Sequence, residues 1–144
     1  MKVLLDTSVL VAAIVEAHPH HAHALPWLQR VKREEITAVI ACHSLAELYS
    51  ILTTLPVRPR ISSTVAWRLI QENILDAFTL VPLTGGDYRA VLERLSMTGI
   101  IGGATYDALI AHTASKAKVD QLVTFNAKDF RRAYPDLSKQ IVEP

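Results

Sequence analysis

Residues 1–18, MKVLLDTSVLVAAIVEAH, contain two apolar segments separated by a single acidic residue. The segment KVLL is a short run with strand character, as is typical of a strand buried inside a parallel sheet. Asp6 ends this run, and Asp is a preferred residue at the N-cap of a helix. This stretch therefore predicts a strand that passes directly into a helix, which is the first unit of an α/β fold.

Four further runs with strand character follow along the chain. They are ITAVIA (36–41), AFTLVPL (77–83), QLVTF (121–125) and a weaker QIV near the C-terminus. Apolar residues recur between them at helical spacing, as at Leu45, Leu48 and Leu52. Strands that alternate with helices predict a three-layer α/β/α sandwich around a mainly parallel sheet of about five strands. The length of 144 residues predicts a single domain, residues 1–144.

The composition narrows the class of protein. Half of the residues are apolar and the net charge is +1, so any surface that attracts nucleic acid has to be local. Cys42 is the only cysteine, which excludes a disulfide framework and a cysteine-based zinc site. The apolar N-terminus lacks the basic region and the cleavage site of a signal peptide. We therefore expect a cytoplasmic protein with no membrane segment.

Acidic and amide side chains follow three of the predicted strands. Asp6 comes directly after the first strand, and Glu47 lies one turn into the helix after the second. Asp107 is in the first turn of an alanine-rich helix, and Asn126 and Asp129 follow the fourth strand. In a parallel α/β sheet the strand C-termini and helix N-termini share one edge, where ligands bind. We expect these side chains to converge at that edge.

Helix capping explains each of these acids when it is taken alone. Asp6 suits an N-cap, and the helix dipole favours Asp107 in a first turn. The segment SLAE (44–47) fits a capping box with Ser44 as the cap and Glu47 at N3. Capping alone does not explain why all three carboxylates should occur at one edge of the sheet.

A divalent cation explains the combination better. Three neighbouring carboxylates repel each other, and one or more must stay protonated unless a cation is bound. Carboxylate oxygens completed by water are the usual ligands of Mg²⁺ and Mn²⁺. Gly102 and Gly103, just before Asp107, would let the backbone approach a ligand closely. The chain shows no Ser-His-Asp or Cys-His nucleophile system and no P-loop glycine motif.

Four segments resemble the signature segments of PIN-domain ribonucleases, and most of all the VapC-type toxins of bacterial toxin–antitoxin pairs. The segments are VLLDTSVLVAA (3–13), SLAELYSIL (44–52), GIIGGATYDALIAHTA (99–114) and LVTFNAKDF (122–130). The resemblance covers nearly the whole chain and implies a PIN-like fold. It implies a metal-dependent endoribonuclease that hydrolyses RNA phosphodiester bonds as the toxin of a type II toxin–antitoxin system. Asp6, Glu47 and Asp107 match the acidic metal-binding triad of the family.

The resemblance also implies a role for each acid. Asp6 and Asp107 hold the principal Mg²⁺ or Mn²⁺, and Glu47 binds a second ion or orients the attacking water. Two such ions would clamp both oxygens of an in-line displacement. Thr124 is a candidate for assisting this shell.

The fourth acidic position of many family members is Asn126 in this chain, which leaves open whether one or two ions bind. Asn126 directly follows the strand and is expected at the crevice edge. Asp129 is expected at N3 of a short helix, where its side chain can reach back to the N–H of the cap residue. We therefore predict that Asn126 serves the metal shell and Asp129 serves the fold.

Partners are predicted from the local surface and from the resemblance. Basic residues that could hold RNA phosphates form two sets, namely Arg58, Arg60 and Arg68, and then Lys116, Lys118, Lys128, Arg131 and Arg132. The resemblance implies a homodimer and a VapB-type antitoxin whose Arg reaches the acidic pocket. A helix with Trp67, Ile70, Ile74 and Leu75 is expected to expose an apolar interface.

Four of the six histidines lie between His18 and His23. This stretch lacks the i, i+4 pair of a helical zinc site, and no cysteine or acid is near enough to complete one. We interpret it as a solvated helix entrance that begins at Pro19, near the antitoxin or the rim of the active site. His43 and His112 are interpreted as structural.

Two alternatives to a toxin remain open. One is a PIN-domain nuclease that acts on DNA or processes RNA outside a toxin system. The other is a catalytically inactive PIN scaffold for protein binding, which the retention of Asp6, Glu47 and Asp107 argues against. A phosphatase of the haloacid dehalogenase type is disfavoured because DTS (6–8) lacks the second aspartate of its D-x-D motif.

Overall fold

The five predicted strands form one parallel sheet in a computed structural model that describes residues 1–144. The strands are β1 (Lys2–Leu5), β2 (Thr37–Ala41), β3 (Phe78–Val81), β4 (Gln121–Val123) and β5 (Ile141–Val142). Their order across the sheet is β3-β2-β1-β4-β5, and every neighbouring pair is parallel. The predicted five-stranded parallel sheet is confirmed.

Seven α-helices connect and cover the strands. They are α1 (Thr7–Ile14), α2 (His21–Lys32), α3 (Cys42–Thr54), α4 (Ser63–Ile70), α5 (Gly85–Thr98), α6 (Ala104–Lys116) and α7 (Ala127–Ala133). A π-helical turn, Gln71–Leu75, extends α4, and a 3₁₀ turn, Pro135–Leu137, follows α7. None of the helices combines the length and the apolar character needed to cross a bilayer.

Side chains that alternate along β1 divide the core into two layers. Val3 and Leu5 pack into the larger cluster, together with residues of α1, α2, α3 and α4. Leu4 points to the other face and packs with Ile110 of α6 and Phe130 of α7. Because both faces of β1 are covered, the continuous apolar run KVLL is explained, and the α/β/α sandwich is confirmed.

The topology places a crevice between β1 and β4. From β1 the chain builds the sheet outward through β2 and β3, and then it crosses back to add β4 on the other side of β1. The order of strands therefore reverses between β1 and β4, and such a switch point opens a crevice at the carboxyl ends of the strands. Asp6 follows β1 and Thr124 follows β4, so both residues lie at this crevice.

The structure corrects two expectations about the helices. Helix α2 begins at His21 and not at Pro19, because residues 15–20 form an irregular connection after α1. The helix with Trp67 does not expose the predicted apolar patch, since Ile70 and Ile74 are buried in the core. Trp67 itself is 53% exposed, so only one side chain of the predicted interface is freely accessible.

Candidate active site

Asp6 is the buried centre of the crevice. It is the N-cap of α1, as predicted, and its Oδ1 accepts a hydrogen bond of 2.8 Å from the N–H of Thr7. Only 5% of the residue is exposed. Burial raises the pKa of its carboxyl group, and hydrogen bonds from Ser8, Thr124 and the backbone oppose this shift. These hydrogen bonds therefore stabilise the charged carboxylate in spite of its burial and fix its orientation.

Two hydroxyl groups fix the second oxygen of Asp6. Ser8 Oγ donates to Oδ2 at 2.7 Å, and Thr124 Oγ1 donates to the same oxygen at 2.8 Å. Thr124 is fully buried and also accepts a hydrogen bond from the N–H of Asn126 at 3.0 Å. Thr124 thus ties the end of β4 to the end of β1. Ser8 was not predicted as a site residue, although a hydroxyl two residues after an N-cap Asp could have indicated it.

Glu47 and Asp107 line a cavity of about 360 Å³ at this edge. His43, Gly103 and Tyr106 complete its lining. Burial, followed by the charge of Asp6, raises the pKa of Glu47. The cavity is therefore lined by two acids from different helices, α3 and α6.

The charges of three acids act on Asp107. Burial is the largest cause that raises its pKa to about 6, and the charges of Asp6, Asp129 and Glu47 add to the effect. Arg132 opposes the shift. The other two members of the predicted triad, Asp6 and Glu47, are therefore close enough to Asp107 to interact with it electrostatically. No three His, Cys, Asp or Glu side chains are close enough to form a ready-made metal cluster.

The donor set fits a hard divalent cation in its chemistry. Carboxylate oxygens are the ligands that Mg²⁺ and Mn²⁺ prefer. A cation would also relieve the repulsion that adds to burial in raising the pKa of Asp107. The residues present therefore suit such an ion by charge and atom type.

The predicted helix cap by Asp129 is wrong. Asn126 is the N-cap of α7, but its N–H donates to Thr124 Oγ1 and makes no hydrogen bond to the Asp129 carboxylate. The buried hydroxyl of Thr124 is already within 3.0 Å of this N–H, so the capping-box bond has no donor left. Asp129 is instead one of the charges that raise the pKa of Asp107. The exposed side chain of Asn126 makes no capping bond.

The predicted capping box in SLAE is also wrong. Helix α3 begins at Cys42, so Ser44 lies at N3 and is buried, and the cap residue Ala41 offers no side-chain hydrogen bond. The strand β2 runs into α3 without an intervening loop, so the helix starts three residues earlier than a cap at Ser44 would place it. Glu47 is therefore free of a capping role and lines the acidic cavity.

Several of the predicted phosphate-binding cations have structural partners. Lys116 donates to Asp87 at 2.6 Å, and Arg131 donates to the carbonyl of Ile141 at 2.9 Å. Lys118 precedes β4 and thus lies toward the opposite edge of the sheet. The cations that remain are exposed, namely Arg58, Arg60, Arg68, Lys128 and Arg132.

The histidines divide into three environments. His21 hydrogen-bonds the carbonyl of Ala12 through Nδ1 at 2.8 Å, and this bond ties the start of α2 to α1. His112 Nε2 lies 3.0 Å from Asp87 Oδ1, which agrees with the structural role predicted for it. His43 lines the acidic cavity, its Nε2 is buried without a partner, and burial lowers its pKa. Only the spacing of four residues between His43 and Glu47 could have indicated this position from the sequence.

The chain matches known proteins over nearly its whole length. The pattern of the PIN domain covers residues 3–134. Ribonuclease VapC27 of Mycobacterium tuberculosis is 36% identical over 124 residues, which are 86% of this chain and 84% of that protein. Among solved structures, VapBC2 from Rickettsia felis, bound to a DNA fragment from its promoter, matches with a TM-score of 0.68 at 22% identity. That match covers 100% of this chain and 99% of the other.

A second structural match comes from the same bacterium as VapC27. The Mycobacterium tuberculosis protein VapC20, described as a toxin that cleaves the sarcin–ricin loop, matches with a TM-score of 0.67 at 15% identity. It covers 88% of this chain and 92% of its own. The sequence pattern over residues 3–134, the 36% identity and the shared fold lead to one conclusion. The chain belongs to the PIN-domain family and is related within it to the VapC ribonucleases.

Proposed function

We propose that this protein is a metal-dependent endoribonuclease and the toxin of a toxin–antitoxin pair. The observation that carries this proposal is the cavity lined by Glu47 and Asp107. There the charges of Asp6, Asp129 and Glu47 add to burial in raising the pKa of Asp107 to about 6. Such crowding of acids in a cleft is costly for folding and is typical of a functional site. The relatives support the substrate class, because VapC27 is named a ribonuclease and VapC20 a toxin that cleaves an RNA loop.

We propose that Mg²⁺ or Mn²⁺ is held by Asp6, Glu47 and Asp107. Asp129 is proposed as the fourth ligand in preference to Asn126. A bound ion supplies the positive charge that polarises the phosphodiester and activates a water for attack. Ser8 and Thr124 keep Asp6 oriented, since both donate to its Oδ2. Arg132, whose charge acts on Asp107, is positioned to attract the substrate phosphate.

The test is an RNA cleavage assay with and without a chelator. We expect cleavage with Mg²⁺ or Mn²⁺ only, and no cleavage by folded Asp6→Asn or Asp107→Asn. The matched control is Asp120→Asn, because Asp120 accepts a hydrogen bond from the N–H of Lys2, on the strand that precedes the site. Wild-type cleavage by Asp107→Asn, or full activity in chelator, would show that the metal assignment is wrong.

An antitoxin of VapB type is the proposed partner. The solved structure of VapBC2 is a complex of that kind, bound to promoter DNA. The acidic cavity offers the charge that a basic residue of an antitoxin would neutralise. Co-purification with the product of a small neighbouring gene, together with loss of cleavage in the complex, would support the toxin assignment. Cleavage that the neighbouring product leaves unchanged would favour a PIN nuclease outside a toxin system, and absence of cleavage would favour a binding scaffold.

A homodimer is proposed through α5 and the loop that follows it, in place of the Trp67 helix. Met97 and Ile101 are 79% and 84% exposed, and Leu92 on the same helix is 51% exposed. A group of exposed apolar side chains of this kind marks an interface. Light scattering should report a dimer for wild type and for Trp67→Glu, and a monomer for the double variant Met97→Glu, Ile101→Glu. A wild-type monomer at micromolar concentration would contradict the dimer.

A further inference from the structure

A second cavity, of about 470 Å³, lies next to Asp6 and shares no residue with the acidic cavity. It is open to the surface and is lined by α1, the connection between α1 and α2, the end of α3 and the loop after β4. Its volume falls within the range of about 300–1,000 Å³ that is usual for small-ligand sites. Four side chains carry the argument for its ligand, namely His18, His20, Phe125 and Asn126.

Aromatic rings form one part of the lining. The rings of His20 and Phe125 are stacked, with centroids 4.8 Å apart and an interplanar angle of 28°. His18 lies beside them, with its ring centroid 5.8 Å from that of His20. Flat side chains of this kind are the platforms on which proteins stack unpaired nucleobases. The histidine stretch, which the acidic site does not use, thus contributes two rings to a cavity of its own.

An amide and an apolar wall complete the cavity. Asn126 is exposed, and its side chain does not cap α7, so both its amide donor and its amide acceptor are available to a ligand. Ile51 and Leu55 contribute apolar surface from the end of α3. An apolar and aromatic lining with one convergent amide suits a flat heterocycle with polar edges.

Hydrogen bonds connect this cavity to the acidic centre. Ser8, which lines the cavity, donates to Asp6 Oδ2 at 2.7 Å, and the N–H of Phe125 approaches Ser8 Oγ at 3.4 Å. The N–H of Asn126 donates to Thr124, which donates in turn to Asp6. A ligand in the cavity is therefore separated from Asp6 by a single layer of side chains.

We propose that this cavity binds one unstacked base of single-stranded RNA, on a nucleotide that adjoins the phosphodiester held at Asp6. The inference rests on the proposed ribonuclease function for its substrate, and it adds the position at which a base is gripped. His20 and Phe125 supply the stacking surface, and Asn126 hydrogen-bonds the edge of the base. The loop with Arg58 and Arg60 begins directly after Leu55 and places positive charge beside the entering strand.

The experiment measures binding without cleavage. A fluorescently labelled single-stranded RNA is titrated with the Asp107→Asn protein, and anisotropy gives its affinity. Adding His20→Ala or Phe125→Leu should weaken binding at least about fivefold, which is the low end of the cost of losing one stacked base. The matched control is His23→Ala, because His23 is an exposed histidine of the same stretch that does not line the cavity. Thermal melting verifies that each variant is folded.

A second measurement keeps the inference separate from the cleavage proposal. Single nucleoside monophosphates are titrated into the wild-type protein, and amide NMR should show shifts at His20, Phe125 and Asn126. Shifts at these residues in a protein that never cleaves RNA would overturn the ribonuclease proposal, while the assignment of the cavity as a base-binding site would stand. Unchanged RNA affinity in both His20→Ala and Phe125→Leu would overturn the inference, as would a response to an antitoxin peptide with none to nucleotides.

Discussion

The hydroxyl of Thr124 donates a hydrogen bond of 2.8 Å to Asp6 although the two residues are 118 positions apart in the chain. This bond crosses the switch point of the sheet, where β1 and β4 lie side by side. Because Asp6 is buried, its carboxylate depends on such donors for its charge and its orientation. Thr124 is thus a positioning residue for the proposed metal site.

Thr124→Val should reduce cleavage by about 10- to 100-fold, which is the usual cost of losing a group that orients a metal ligand. It should also cost about 1–3 kcal/mol of stability, since the N–H of Asn126 loses its acceptor. Metal titration of cleavage and thermal melting check the two effects. Thr124→Ser should restore most of the activity. The control is Thr113→Val, because Thr113 is equally buried and donates only to the carbonyl of Leu109. Equal losses in Thr113→Val and Thr124→Val would remove the special role of Thr124.

Asp107→Asn should stabilise the metal-free protein above about pH 6. The pKa of folded Asp107, about 6, lies above the ordinary value of 3.8, so the folded state holds this proton more tightly than the unfolded chain. The free energy of unfolding therefore falls as the pH rises through this window. The full shift corresponds to about 3 kcal/mol, and screening of a half-buried group reduces the expected gain to about 1 kcal/mol.

Melting temperatures at pH values on both sides of this window check the prediction for Asp107. The gain should be small near pH 4 and should disappear when saturating metal stabilises the wild-type protein. Glu143→Gln serves as the control, because Glu143 is an exposed carboxylate outside the site. A pH-independent difference between wild type and Asp107→Asn would contradict the assignment of the raised pKa.

Asp129→Ala should lower cleavage and leave the melting temperature unchanged. Asp129 makes no capping bond, so its removal does not destabilise the start of α7. The group of acids around Asp107, in contrast, loses one negative charge. Charge count sets affinity at oxygen-ligand sites, so half-maximal cleavage should need more Mg²⁺. The control is Asp136→Ala, since Asp136 is an exposed acid paired with Arg94.

Asn126→Asp tests the competing assignment of the fourth position. If Asn126 belongs to the metal shell, this substitution should lower the Mg²⁺ concentration needed for half-maximal cleavage. If Asn126 contacts a base, the substitution should weaken RNA binding at unchanged metal demand. A lower metal demand in Asn126→Asp, together with full activity of Asp129→Ala, would return the role to Asn126.

Asp87→Asn should lower stability near neutral pH and lose this effect in acid. Hydrogen bonds from Lys116, the Thr84 N–H and His112 hold the pKa of Asp87 well below its usual range. Because the folded pKa is depressed, the stabilisation is present above the unfolded pKa of about 4 and is lost as the pH falls further. The gap in melting temperature between wild type and Asp87→Asn should therefore be wide at pH 7 and narrow toward pH 3. A gap that persists in acid would assign the effect to packing.

The strands and the edge at which they end could be predicted from the sequence because their signals are local. KVLL followed by Asp6 specifies both a buried strand and a helix cap, and the structure shows both. The place of Glu47 at this edge could also be predicted, because it depends only on where β2 ends. Its helix start could not be placed correctly, because β2 passes into α3 with no turn residue to mark the boundary.

The parts that failed depend on contacts between distant segments. Whether Asp129 caps α7 is decided by a competitor, the Thr124 hydroxyl, whose position is set by its bond to Asp6. The burial of Ile70 and Ile74 depends on how α4 packs on α3 and on the sheet, which the helical period alone does not specify. The cavity beside His20 required Phe125, a residue more than a hundred positions away.

The pairing of β1 with β4 also determines when the proposed metal site at Asp6 can form during synthesis. Asp6 is synthesised 118 residues before Thr124, whose hydroxyl holds it, and well before β4, which pairs with β1. Long-range parallel pairings of this kind form late in folding. We therefore expect that a ribosome still translating this message carries a chain without the complete acidic site until β4 and Thr124 have been added.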